Sequence, residues 1–259
     1  SVALAFSTLG EPPRVDHVVR ARLQRERRAE PAAKADTEAL RFVSVGRALP
    51  EHEVRIVDDN DQPVGERVEG HLQFRGPSAM QGYFRNPDAT RAARTADGWY
   101  RTGDLSYWAE GDLFITGRTK DLIIKAGRNI YPQEVEEAAA EAEGARQGCI
   151  AAFSVPDAKA GTEQLVVVVE TRLSNPAARA RLAADIKRRV SACCCTAPDV
   201  VRLVAPQTVP KTPSGKLRRA ACRQLYLDDT LEAPRTPAWL QLARLVSASA
   251  LALLRRKPG

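Results

Sequence analysis

Residues 164–169, Gln-Leu-Val-Val-Val-Val, constrain the fold of this 259-residue chain more than any other segment. A leucine followed by four valines leaves no polar face, so this strand is expected at the centre of a sheet. Residues 149–153 read as a second strand and 200–204 as a last short one. Pro132 opens a helix whose Val135, Ala138, Ala139 and Ala142 share one face, and Gly144 ends it. Leu182, Ile186 and Val190 form the buried stripe of a second helix, with Arg179, Lys187 and Arg188 outside. Residues 112–116 and 122–125 are read as strands joined by a turn that carries Arg118 and Lys120. The order strand-helix-strand-strand-helix-strand predicts a small two-layer α+β unit beginning at Arg118.

Upstream the pattern differs. Residues 13–40 are rich in Arg, Glu and Ala, are interrupted by Pro31, and read as surface helix and loop. From Phe42 onward, apolar and polar residues alternate in short runs, notably 53–57 and 70–76. These predict strands of a half-buried antiparallel sheet. Asn86 or Asp88 caps a short helix.

Composition is that of an ordinary globular protein, 44% hydrophobic and 27% charged. The net charge is +7, but the 39 basic residues are spread along the chain and do not interleave with aromatics. Nucleic acid is therefore not expected as a partner. Cys149, Cys193, Cys194, Cys195 and Cys222 match neither zinc spacing nor a secreted disulfide framework, and the adjacent three cannot all pair locally. Reduced thiols and a cytoplasmic setting are expected. His17, His52 and His71 lie far apart in sequence, so no metal ligand is expected.

Residues 210–219, Pro-Lys-Thr-Pro-Ser-Gly-Lys-Leu-Arg-Arg, carry the sharpest chemical signal. Pro210 and Pro213 stiffen a loop, and Gly215 allows a turn that presents Lys216. A lysine so placed is a mobile point charge for a carboxylate or phosphate. A phosphate-cradling P-loop is excluded, because Pro210 and Leu217 stand where glycine and Ser or Thr are needed. Two further segments accompany the loop. Residues 98–105, Gly-Trp-Tyr-Arg-Thr-Gly-Asp-Leu, read as turn-rich and leave the carboxylate of Asp104 beside a glycine. Residues 117–136 carry Gly-Arg-Thr-Lys-Asp, then Lys-Ala-Gly-Arg-Asn, then Tyr-Pro-Gln-Glu-Val-Glu.

These three motifs, in this order, resemble the last third of the adenylate-forming superfamily: acyl-CoA synthetases, fatty acyl-AMP ligases, luciferases and peptide-synthetase adenylation domains. The resemblance runs from about residue 42 to 226. It implies residues 1–117 as the end of the large N-terminal domain, with barrel-forming strands, and 118–230 as a mobile lid; residues 231–259, beyond the resemblance, read from their own composition as an apolar, basic helical tail. The resemblance implies that Lys216 bridges acyl carboxylate and α-phosphate, that Asp104 binds the ribose hydroxyls, and that Arg118 contacts ribose or phosphate. Lys120 takes the hinge position. Gly127 and Arg128, with Lys125, would face the thiol acceptor. Implied cofactors are ATP/AMP, Mg²⁺ held outside this chain, and phosphopantetheine or CoA. Residues 128–136 and 146–153 resemble fatty acyl-AMP ligases, which pass a fatty acyl group to an acyl carrier protein. A long-chain acyl-CoA synthetase is the alternative, and a non-catalytic lid or docking module the reading from another class. The family's phosphate loop and acidic motif are missing, so the chain reads as a C-terminal portion, inactive alone. Residues 236–257, with Trp239, several leucines and the basic Arg255, Arg256 and Lys257, predict a helix docking on a domain or an anionic membrane surface.

Overall fold

The computed structural model describes residues 4–157 and 162–231. The predicted helix at 236–257 lies outside the described residues. In chain order the elements are β1 (Ala5–Phe6), β2 (Val15–Val18), α1 (Arg20–Glu26), β3 (Leu40–Val43), β4 (Arg47–Ala48), β5 (Glu53–Val57) and β6 (Gly70–Arg75). Then come α2 (Pro87–Ala93), β7 (Tyr100–Ala109), β8 (Asp112–Arg118), a single 3-10 turn (Thr119–Asp121), β9 (Ile123–Lys125) and β10 (Arg128–Ile130). The chain continues through α3 (Pro132–Ala140), β11 (Ala145–Asp157), β12 (Thr162–Thr171), α4 (Pro176–Cys194), β13 (Val200–Val204) and α5 (Arg219–Leu227). No helix among the described residues is long and apolar enough to cross a membrane.

The expected α+β organisation is present. In the first part, β5-β6-β7-β8 form a four-stranded antiparallel sheet, and β2-β3 a separate pair. The two meet where Ser44 bridges Phe114 and the Val45 amide donates to the Leu113 carbonyl. These strands do not close a barrel; they remain open sheets curled around two small cores. One core gathers Val18, Leu23, Ala29, Leu40, Tyr107, Phe114 and Tyr131. The surface helix-and-loop reading of 13–40 holds for α1 and for the exposed residues 33–38, but the stretch is not all surface. It contains strand β2 and a short helix whose Leu23 is fully buried, because few apolar residues in a charged stretch still suffice to cover an edge. The cap prediction holds: the Asn86 side chain accepts the Ala89 amide at 3.0 Å.

In the second part, β12 pairs antiparallel with β11 and parallel with β13, which puts it in the centre as its valines require. Val166 to Val169 are all fully buried. Alternation sends Val167 and Val169 to the face covered by α3 and α4, and Val166 and Val168 to the face covered by α5, Val209 and Leu231. α4 starts on Asn175, whose side chain accepts the Ala178 amide at 3.1 Å, with Pro176 in its first turn. The predicted face of α3 is the buried one, but the helix ends at Ala140 rather than at Gly144, which lies in the turn beyond. Residues 112–116 and 122–125 do not pair with each other. β8 pairs with β7, while β9 pairs with β10 through a two-residue turn. Ala126 and Gly127 both have positive φ there, 50° and 70°, as a hairpin turn matching strand twist demands.

The two parts touch beyond their 3-10 connection. Tyr131, although it follows the connection, sits in the first part's core and donates from its hydroxyl to Glu69 at 2.9 Å. Thr116 donates to the same Glu69 oxygen. Both donors are neutral hydroxyls, so this anchor is a buried hydrogen-bond network rather than an ion pair, and burial pushes the Glu69 carboxyl up. On the flank, Arg20 of α1 pairs with Glu134 of α3.

Candidate functional site

Asp104 and Arg118 face each other across β7 and β8, in register, with Arg118 Nε donating to Asp104 Oδ1 at 2.9 Å. Asp104 sits in a strand, not in the turn-rich stretch that residues 98–105 suggest. The turn residues act as a local irregularity instead. Gly103 has φ 77°, and the register shifts just after Leu105. Such a bulge re-aims a strand side chain. Thr102 fixes the geometry, donating to the Leu72 carbonyl at 3.0 Å and accepting the Asp104 amide at 3.0 Å.

The pair borders a cleft of about 430 Å³ whose walls include Leu72, Phe74, Tyr83, Tyr100 and Ile115. Asp104 is 28% exposed and Arg118 51%, so the bond between them is a surface ion pair. Such a pair contributes roughly 0–1 kcal/mol and is easily exchanged for a ligand. Bonding to Asp104 raises the Arg118 pKa, which keeps the guanidinium charged. The arrangement offers a carboxylate with one oxygen unused by Arg118, a fixed cation beside it and an apolar wall.

Lys216 lies elsewhere, on the second part. Its loop is a tight hairpin: the Thr212 amide donates to the Lys216 carbonyl at 2.8 Å and the Arg218 amide to the Pro210 carbonyl at 3.0 Å. Gly215 takes φ 83° at the turn, and the Lys216 amide donates to Thr212 Oγ1 at 3.0 Å. Thr212, which sequence reasoning did not single out, therefore organises the loop. Lys216 itself is exposed and is not among the residues lining the cleft. The structure does not bring it to Asp104 and Arg118. Immediately after the loop, Arg219 forks onto Glu136 and reaches Asp121 at 3.3 Å.

Gly127 and Arg128 form a third location. Gly127 is at the tip of the β9-β10 hairpin, where an added side chain would meet open space. Lys125 is tied to Asp199, and Arg128 lines a separate hollow with Arg20, Gln24 and Cys195. Lys120 is exposed in the 3-10 turn between the two parts, with its neighbour Asp121 half-buried against Arg219.

Comparisons with known proteins bear on the fold and the family. Residues 31–84 match the family model described as AMP-binding enzyme. A Caulobacter vibrioides protein provisionally named an acyl-CoA synthetase is 37% identical over 234 residues, 89% of this chain and 40% of its own length. Among solved structures, one from a study of fatty acyl-adenylate ligases from E. coli and L. pneumophila superposes with a TM-score of 0.77 at 33% identity, covering 88% of this chain and 40% of that one. McyG A-PCP complexed with phenylalanyl-adenylate gives a TM-score of 0.69 at 33% identity, over 76% of this chain and 36% of its own. The chain thus spans about two fifths of the length of these relatives. The ordered motifs, the open sheets joined to an α+β unit, and these likenesses have one explanation: the chain belongs to the AMP-binding family of adenylate-forming ligases.

Proposed function

We propose that this chain is the C-terminal part of an enzyme that activates a fatty acid with ATP to an acyl-adenylate and passes the acyl group to the phosphopantetheine thiol of an acyl carrier protein. The observation that carries the reading is the registered Asp104–Arg118 pair at the mouth of a cleft, on one part, with an exposed, loop-mounted Lys216 on the other. In the first step a carboxylate oxygen attacks the α-phosphorus and pyrophosphate leaves. The chemical obstacle is the approach of two anions, so positioned cations supply most of the assistance. Arg118 is charged and adjacent to the cleft. Asp104 retains acceptor capacity for a vicinal diol, as ribose presents. Lys216 would complete the site only when the second part turns about the Arg118–Asp121 connection.

Mg²⁺ accompanies ATP, and its protein ligand is expected outside this chain. Among the described residues, the close cluster of ligand atoms is Glu134, Cys193 and Cys194, and thiolates do not suit a hard cation that takes oxygen ligands. Cytoplasmic operation belongs to the same proposal, supported by five free cysteines.

The deciding experiment uses the full-length enzyme with ATP and a series of fatty acids, reading pyrophosphate release, followed by transfer to carrier protein or to CoA. Pyrophosphate without transfer to either thiol would reject the second half of the proposal. Preferred transfer to CoA would favour the acyl-CoA synthetase reading, which the Caulobacter relative's name supports. No pyrophosphate with any acid would leave a docking module. Asp104→Ala is expected to lower kcat/KM for ATP about 10–100-fold, the cost of losing hydrogen bonds to a charged acceptor. Because the pair it breaks is exposed, the fold should persist, as circular dichroism can check. An unchanged kcat/KM would remove Asp104 from the nucleotide site.

Lys120→Pro tests the turning motion, since proline fixes φ and cannot follow a backbone change. One half-reaction should survive and the other fall by at least an order of magnitude. The present arrangement is held by Tyr131 on Glu69 and by Arg20 on Glu134, so limited proteolysis at 118–121 should speed up in Tyr131→Phe. Equal loss of both half-reactions in Lys120→Pro, with proteolysis unaltered, would argue against a hinge there.

A further inference from the structure

We infer that Glu134, Cys193 and Cys194 form a binding site for a thiophilic divalent cation of zinc's class, placed between the start of α3 and the end of α4. The inference is independent of the nucleotide reading. The last turn of α4 carries two adjacent thiols, and packing of α4 on α3 brings them to the carboxylate of Glu134. All three ligand atoms lie within 4.8 Å of one another. Cys193 Sγ is 3.7 Å from Glu134 Oε1. Around a tetrahedral zinc ion, sulfur and oxygen ligands stand about 3.5–3.7 Å apart, so the present spacing is close to that of a bound set.

The surroundings suit a cation with three anionic ligands. Two thiolates, one carboxylate and a divalent ion carry a net charge of −1. The guanidinium of Arg20 offsets that charge; it holds Glu134 Oε1 and also reaches Cys193, so the ion would enter on the Oε2 side. Arg20 is held there by its own bond from Nε to the Glu38 carbonyl at 2.9 Å. The other carboxylate oxygen, Glu134 Oε2, is buried and has no hydrogen-bond partner, which leaves it ready to ligate. Cys194 is fully buried and Cys193 half-buried, so the ion would sit at the rim of the core with its fourth position open to water. Sulfur donors select zinc-class ions over Mg²⁺ or Ca²⁺. Both thiols must be deprotonated to ligate, so affinity must fall in acid.

The test is a titration of the reduced, chelator-treated protein with Co²⁺, whose thiolate complexes absorb in the near ultraviolet. One equivalent should produce a thiolate-to-cobalt band with the visible bands of a tetrahedral site, and Zn²⁺ should bleach both. Cys193→Ser should weaken binding at least tenfold and roughly halve the band. Glu134→Gln should weaken binding while keeping the band, and Cys195→Ser should leave both unchanged. Because Cys194 is buried, Cys194→Ser is read only if its circular dichroism is intact; Cys193→Ser and Glu134→Gln otherwise decide. Absence of a thiolate band at one equivalent would overturn the site. So would a band that survives Cys193→Ser at full strength, or one that disappears in Cys195→Ser.

Discussion

Lys216→Ala in the full-length enzyme is expected to depress acyl-adenylate formation by about 10²–10³-fold while leaving transfer from preformed acyl-adenylate nearly intact. The magnitude is that of removing one preorganised charge or donor aimed at the charge of a transition state. Preorganisation is visible in the loop. Two prolines, the positive φ of Gly215 and the Thr212 bonds hold the backbone, so only the lysine side chain remains to be placed. The selectivity between half-reactions follows from the chemistry. Adenylation brings carboxylate against phosphate, whereas thiol attack on the adenylate expels AMP and needs no cation between two reactants. Steady-state pyrophosphate release and single-turnover transfer, measured on the same preparation, separate the two. A variant that loses both equally would show that Lys216 holds the fold of the second part or binds the thiol instead. Lys216→Arg adds resolution: a guanidinium keeps the charge but not the compact ammonium, so partial recovery is expected.

The second part's skeleton was legible because its pattern is local. Residues 200–204 alternate only weakly, yet the strand falls where the valines put it, and the stripe of Leu182, Ile186 and Val190 is the buried face of α4. What sequence could not supply was pairing between segments. Strand β9 joins β10, not β8, because an Ala-Gly pair accepts the two positive φ values of a tight hairpin. Ala126 gives little advance notice of that turn, since alanine rarely takes such a conformation. Strand β2 hides in a charged stretch because its partner, β3, lies beyond the helix and loop of residues 19–39. At the site, the motifs announced Asp104, Arg118 and Lys216 separately. Only the register of β7 on β8 joins the first two, and only the loop's position shows that the third stands apart. Nothing in the sequence places Arg20 beside Glu134, since 114 positions separate them, the difference between their numbers.

The largest effect on stability is expected from Glu136→Gln, through a pair that sequence reasoning left unremarked. Glu136 on α3 accepts from Arg219 at both oxygens, 2.7 Å each, and from the Ala152 amide at 3.0 Å. Their side chains are 10% and 16% exposed. Burial raises the Glu136 carboxyl overall, while the Arg219 bonds and the Ala152 amide act in the opposite sense, toward the ionised form. Arg219, in turn, is raised by its bond to Glu136. Taking one partner from a buried pair costs about 3–5 kcal/mol, because the other is left buried and charged. Asp121, at 3.3 Å from Arg219, keeps part of that compensation, so the lower end is expected. For a unit of this size that corresponds to a fall in Tm of roughly 10 °C or more. Arg219 is also the first residue of α5, directly after the lysine loop. Glu136→Gln should therefore cost adenylation as well as stability. Replacing both partners, as in Glu136→Leu with Arg219→Met, should restore much of the Tm, because a buried pair exchanged whole for apolar side chains is often neutral. It should not restore adenylation if the pair also sets the loop's position. A Tm for Glu136→Gln within about 2 °C of the parent would mean that α5 and the lysine loop are held by apolar packing of Cys222, Leu225 and Tyr226 alone.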